Sequence, residues 1–512
     1  MLSIPLVARY LVHTRWIWPG LPLILILLGR LNALTAGGAL AFPDEDRHLQ
    51  SVKAVEALLD GQVRQACLHL ADTQGRPADA LLRLPVAALQ VAGQHWAQLP
   101  AESPASLLLV QLQNWLVLAL NMLLFWHLAR RWLPVATADT ALVVYSALAS
   151  TQLYLRHLLP YDMALGITLA ALVLVSAPAI THRRPGWAGF IAGGLGTLAF
   201  TVYPGYYFAP LLPTALLLFR PARQWMAAAG RGLLGSGLIL LPLEALTRIG
   251  HISYLRSLQN LSGTINQGDF AEGFSFALRY LWEVEGIIGL GLLLLALGGL
   301  VALFQRPYPP IARVVALVPM GAWLLHASLA YWGHQFVFYG RTVHFFIPFL
   351  VLTAATAVQA LPVRWRRVVA AAGSALALLT LVRFGSIFCA LAYPRDVLAA
   401  YRVAPAHPQR HTNEAGVLHA LDYTPPPLPW LSSTGPGRAA PDSLLLINFT
   451  FLYPLLRPVC QPVAPPPAGA RLLYTAPHFL TLPAYGFEGF TPDKRAQLLR
   501  CRFQCRLYQL SR

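Results

Sequence analysis

Hydrophobic residues in this chain come in long runs, with the polar residues gathered between them. The runs lie near 17–40, 106–128, 135–155, 162–180, 187–203, 205–219, 226–244, 284–304, 313–332, 342–361 and 368–391. Most match the ~20 apolar residues that carry a helix across a bilayer. A spanning helix satisfies its own backbone groups, which lipid cannot do. The pattern therefore predicts an all-α polytopic membrane protein with about eleven transmembrane helices. The fifth and sixth runs meet at Tyr203-Pro204-Gly205, which breaks a helix. A single kinked helix there, giving about ten spans, is the alternative. The first run is longer than the apolar region of a cleavable leader, so it reads as a span.

Between the runs, the segment 41–104 carries amphipathic stretches at 46–59 and 78–96, suited to lying on a membrane surface. A second connection covers 251–283. From Tyr393 onward the chain is rich in Pro and polar residues. A helix near 413–421 and strands near 443–449, 471–474 and 502–507 are expected there. The chain thus divides into a transmembrane part, 1–392, and a small α/β domain, 393–512. The inverted repeat that marks many transporters is not visible.

Composition narrows the class. Of 512 residues, 56% are hydrophobic and 12% charged, against the ~25% charged of soluble domains. A soluble globule and a disordered chain are both excluded. The net charge of +17 invites a nucleic-acid reading, but the arginines are spread along the chain and form no single patch. They fit loop charge that sets orientation. Arg9, Arg15, Arg130, Arg131, Arg183, Arg184, Arg220, Arg223, Arg306, Arg313, Arg364, Arg366 and Arg367 all fall on one side if the fifth and sixth runs are separate spans. The positive-inside rule makes that side cytoplasmic. The N-terminus is then cytoplasmic, and the segments 41–104 and 393–512 are extracytoplasmic. The five cysteines show no zinc or CxxC spacing.

Three polar sets fall on the outward face. Phe42-Pro43-Asp44-Glu45-Asp46 follows the first span. Its acids read either as a helix start, with Asp44 as the cap and Glu45 and Asp46 at the positive end of the dipole, or, since a cap needs only one acid, as a group with a second use. Arg156-His157 and Asp162 surround the turn before the fourth span. Asp162 is either a cap or an acid facing water at membrane depth, where ionisable groups are costly. Arg341 opens the tenth span with His344 one turn inside. It either holds a phosphate or snorkels to lipid headgroups; His334 and His344 read as core histidines. Tyr203, Tyr206, Tyr207 and Phe208 form an aromatic cluster at the same face, suited to an interfacial belt or to stacking on a sugar. Capping by chance would scatter such groups over both faces.

In this order the motifs resemble the C class of glycosyltransferases (GT-C), specifically bacterial relatives of the protein O-mannosyltransferases (dolichyl-phosphate-mannose-protein mannosyltransferase type) and of the lipid A aminoarabinose transferase. Pro43-Asp44-Glu45 matches an acidic motif after the first span, continued by a helix containing His48, Leu49 and Val52. Asp162 matches an acid at the start of the fourth span, and Gly193-Gly194-Leu195-Gly196-Thr197-Leu198-Ala199-Phe200-Thr201 a Gly-rich fifth helix. Arg341 and Pro348 match a late span that opens with Arg. The likeness covers roughly 17–392. One departure is Val202, where many relatives carry Lys.

The resemblance implies transfer of a sugar from a polyprenyl-phosphate carrier to a hydroxyl on the extracytoplasmic face of a bacterial cytoplasmic (inner) membrane, with inversion. Asp44 would be the general base. Asp162 would position the acceptor or orient a cation. Arg341, with Arg156 or His157, would hold the donor phosphate. Glu45, Asp46, Tyr203 and Tyr207 would support these groups or the acceptor. No cofactor is demanded, and a divalent metal is left open. The implied partners are the lipid-linked sugar, the bilayer and a glycan, lipid or protein acceptor; nucleic acid is not among them. The rival readings are a non-catalytic transporter and a protein that only binds lipid-linked glycans. A transporter predicts ionisable groups at mid-membrane, yet Arg30 and Glu244 lie near span edges.

Overall fold

The apolar runs become helices wherever they are seen. The computed structural model describes residues 27–28, 47–101, 103–152, 158–177, 185–219, 221–265, 274–335, 340–383, 410–412, 444–447, 469–475 and 506–510. The first expected span lies almost wholly outside these residues, as does the expected helix at 413–421. So do Cys389, Cys460, Cys501 and Cys505; Cys67 is buried as a free thiol.

Three helices precede the second span: α1 (Arg47–Leu59), α2 (Val63–Ala71) and α3 (Pro77–Ala97). The first and third are the expected amphipathic stretches. The second was not expected; Ala66 and Leu70 bury it against Ala54 and Ala57 of α1, after a left-handed turn at Gly61. Then follow α4 (Pro104–Ala129), α5 (Val135–Ala147), α6 (Ala149–Gln152), α7 (Tyr161–Val175) and α8 (Pro185–Val202). A 3-10 turn at Pro204–Tyr206 leads to α9 (Leu211–Ala215) and a second 3-10 turn at Leu216–Phe219. The chain continues through α10 (Ala222–Ile249), α11 (Tyr254–Ile265), α12 (Ser275–Glu285), α13 (Ile287–Gln305), α14 (Pro310–Tyr331), α15 (Gly340–Ala360) and α16 (Val363–Arg383).

Among the described residues, five helices are long and apolar enough to cross a bilayer: Ala105–Ala129, Gln224–Ile249, Ile287–Gln305, Pro310–Tyr331 and Gly340–Ala360. Shorter apolar helices lie at Val135–Ala147, Tyr161–Val175, Gly186–Val202 and Pro204–Phe219. The protein is a polytopic helical membrane protein. Two expected spans are corrected. The sixth is not one regular helix, because Pro204 and Pro210 divide it into short pieces. The third stops at Ala147, since Leu148 adopts an extended conformation (ψ 141°) and α6 begins afresh.

The core centres on α15, buried along most of its length, with α13, α14, α5 and α7 packed around it. α8 packs on α7 and, closely, on α10. A side-chain carbon at Gly189 or Gly193 would overlap the backbone of Ala228 or Gly232, and one at Gly235 the backbone of Phe190. Such small-residue seams let helices approach within lipid.

In the tail, β1 (Arg410–Thr412), β2 (Leu444–Ile447), β3 (Arg471–Thr475) and β4 (Arg506–Gln509) form one sheet in the order β1-β2-β4-β3. β1 and β2 are parallel; β4 runs antiparallel to β2 and β3, with an irregularity between Leu472 and Tyr474. Three of these strands were expected and β1 was not.

Candidate active site

The polar groups gather where the first turns of α7 and α15 face each other. Pro160 precedes α7, so Tyr161 and Asp162 stand at its first positions. On α15, Arg341 and His344 are three residues apart and share a helix face. Two rungs join these turns. His344 Nε2 lies 3.0 Å from Asp162 Oδ1, and Arg341 Nη1 donates to the Tyr161 hydroxyl at 3.0 Å. Asn121 of α4 donates through Nδ2 to the Asp162 carbonyl at 2.8 Å. The Tyr206 hydroxyl donates to the Arg341 carbonyl, also at 2.8 Å.

Aromatic rings line one side. Tyr161 meets Tyr203 edge-on at 4.7 Å, and Tyr203 meets Tyr206 at 4.8 Å. A guanidinium stands over each outer ring of the Tyr161–Tyr203 pair: Arg341 at 5.9 Å from the Tyr161 centroid and Arg76 at 5.0 Å from that of Tyr203. Arg76 is buried immediately before α3. The loop helices thus bring a second cation to the tyrosines.

That platform has a polar interior of its own. The fully buried Arg83 donates to Asp79 at 3.1 Å, to Asn114 at 3.4 Å and to the Leu159 carbonyl at 3.0 Å. His48 Nε2 lies 2.7 Å from Gln90 Oε1, and Gln90 Nε2 donates to Ala101 O and Ser106 Oγ. This fixes the amide orientation, so His48 donates from Nε2. Burial, then the charge of Arg83, lowers the His48 pKa to about 3.

Of the residues singled out in the sequence, Asp162, Arg341 and Tyr203 come together. Tyr207 does not join them: its hydroxyl lies 2.9 Å from His326 Nδ1 of α14 and its ring stacks on that imidazole. The turn at Pro204–Tyr206 points successive tyrosines in different directions, and Tyr206 takes the place expected of Tyr207. Asp44, Glu45, Asp46, Arg156 and His157 lie outside the described residues. Sequence reasoning missed Tyr161, Arg76 and Asn121, and read His344 as a core histidine. It is one, buried and bonded at both nitrogens, but one of its partners is Asp162. Its position one helical turn after Arg341 was the available signal. Val202 is fully buried. Among the described residues, no three of His, Cys, Asp or Glu gather closely enough to hold a metal ion.

The fold and this polar cluster define the class: a polytopic helical membrane protein of the GT-C fold. The chain is similar to ArnT from Cupriavidus metallidurans in two crystal structures. That of ArnT bound to undecaprenyl phosphate shares 13% identity, with a TM-score of 0.54 over 90% of this chain and 96% of that one. That of the apo state shares 14%, with a TM-score of 0.51 over 97% and 98%. No protein-family model and no curated protein matches the chain.

Proposed function

We propose that this protein is a membrane glycosyltransferase that moves a sugar from a polyprenyl-phosphate carrier to an acceptor hydroxyl on the extracytoplasmic face. The observation that carries the reading is the pair of cations, Arg76 and Arg341, bracketing tyrosine rings beside the buried Asp162, in a fold shared with a protein seen bound to undecaprenyl phosphate. In this reading residues 1–392 form the catalytic domain and 393–512 an extracytoplasmic domain, with the N-terminus in the cytoplasm of a bacterial cell.

The chemistry follows from the charges. The acceptor oxygen attacks the anomeric carbon, the bond from that carbon to the phosphate oxygen breaks, and polyprenyl phosphate leaves with the bonding electrons. Asp44 takes the proton of the attacking hydroxyl. Negative charge grows on the departing phosphate, where fixed cations act most strongly in a water-poor site. Arg341 and Arg76 supply them, with Arg156 or His157 as further donors; Arg76 makes up for the Lys that Val202 replaces. Tyr161 accepts from Arg341 and so orients that guanidinium towards the phosphate. Asp162 positions the acceptor. Glu45 and Asp46 support Asp44, and a sugar face stacks on Tyr203.

The test is Asp44→Asn in membranes supplied with undecaprenyl-phosphate-linked sugars. Transfer falls by ~10²–10⁴-fold, the usual share of a general base, while expression and thermal stability hold. Full activity of this variant rejects the mechanism.

A further inference from the structure

Glu285 ends α12 with its side chain buried, 2% exposed. Its Oε2 accepts from the Ala149 N–H at 2.9 Å and its Oε1 from the Ser150 N–H at 2.6 Å. These are the first donors of α6, which no intrahelical carbonyl can serve. The carboxylate therefore explains why the helix breaks at Leu148 and restarts one residue later. With its N–H pinned, Ser150 turns its carbonyl to α15, where His344 Nδ1 lies 2.8 Å away. A carbonyl only accepts, so Nδ1 carries a hydrogen. On the other side of the ring, Nε2 lies 3.0 Å from Asp162 Oδ1. Two bare lone pairs repel at that distance, so the contact holds one proton. It is either an imidazolium against a carboxylate or a carboxylic acid donating to neutral imidazole.

We propose that Glu285 and His344 are positioning residues for Asp162, joined in one relay from α12 through α6 and α15 to α7. Glu285 orients the Ser150 carbonyl, that carbonyl selects the Nδ1–H form of His344, and His344 engages Oδ1 of Asp162 through a single shared proton. With Oδ1 committed, contact with an acceptor hydroxyl falls to Oδ2. A purely structural role does not account for the construction. Glu285, His344 and Asp162 are all 5% exposed or less, and apolar side chains fill such space at lower desolvation cost. The role assigned to Asp162 rests on the glycosyltransferase reading; the relay itself does not.

The experiment has two arms on the full-length protein in nanodiscs. The first is NMR of isotope-labelled histidine nitrogens, with the His344 signal identified by its loss in His344→Gln. Nδ1 of His344 bears a proton in the wild type. In Glu285→Gln the signal shifts, because glutamine offers one acceptor and sets an NH2 group against the second N–H. The second arm is transfer kinetics with an undecaprenyl-phosphate-linked sugar. Glu285→Gln lowers kcat about 100-fold, the cost of a small misplacement at a reacting centre, and leaves the donor KM within about twofold. His344→Gln, whose amide reaches the former Nε2 position, keeps more kcat than His344→Asn, which reaches only the Nδ1 position. A bare Nδ1 in the wild type, or an unmoved His344 signal in Glu285→Gln, overturns the relay whatever the activity. Equal losses in the two His344 variants overturn its role in transfer. A wild type that transfers no sugar refutes the glycosyltransferase reading, and the nitrogen signal then tests the relay alone.

Discussion

Helix α8 meets α10 mainly through close backbone, with one Thr197–Ser236 hydroxyl pair, whereas α7 meets α15 through side chains that carry charge and protons. The first contact uses Gly189, Gly193 and Gly235, where any side chain would collide with the facing helix, and Gly232, where one would fit only tightly. The second uses Tyr161, Asp162, Arg341 and His344. Within lipid, small residues are enough to hold helices together. Buried ionisable pairs lose solvation and seldom repay it as stability. One seam therefore carries the fold, and the other is kept for what its groups can do.

The sharpest break of this contrast is the double variant Asp162→Leu with His344→Leu. Transfer is lost, while the Tm in detergent holds or rises, as apolar replacement of buried pairs often stabilises by ~1–4 kcal/mol. A collapse of the Tm would make the polar seam structural after all. Gly193→Leu should do the reverse. It forces α8 from α10 at a cost of roughly 1–3 kcal/mol, seen as a lower Tm, while activity per folded molecule persists. A pH effect sharpens the contrast with a polar contact outside the spans. His48 has its pKa lowered from 6.5 to about 3, so below pH 6.5 the unfolded chain binds a proton that the folded one refuses. Stability is level above pH 6.5, falls by up to ~1.4 kcal/mol per pH unit as pH drops towards 3, and levels below that. Thermal scans across this range should show the acid limb flattened in His48→Gln.

The spans were legible because apolar length is a local property. Eight of the eleven expected runs coincide with single described helices, and the third and sixth are broken into shorter pieces. What escaped was set by distant partners. Nothing near Leu148 announces a break, because the carboxylate responsible is Glu285, at the very start of the run expected as the eighth span, more than a hundred residues away. Arg76 sits before a proline at a helix start and looks like an ordinary surface residue until Tyr203 is found beneath it. The opposite error befell Tyr207, chosen for its neighbours in sequence when a 3-10 turn aims it at His326. The Gly-rich stretch drew notice through the family resemblance alone, although its glycines also have a packing reason. Asp162, Arg341 and Tyr203 were found because rare polar groups at the edge of apolar runs stand out without any knowledge of their partners.

All three guanidinium nitrogens of Arg83 are engaged, one on its own helix, one on α4 and one on the Leu159 carbonyl just ahead of α7. The amphipathic layer is thereby bolted to the mouth of the bundle. It cannot slide across the lipid surface without dragging the turn that carries Tyr161 and Asp162. In the transfer reaction proposed above, an acceptor docked on this layer would be held at a set height above the carboxyl group, and the layer would serve as a ruler for which hydroxyl reaches it.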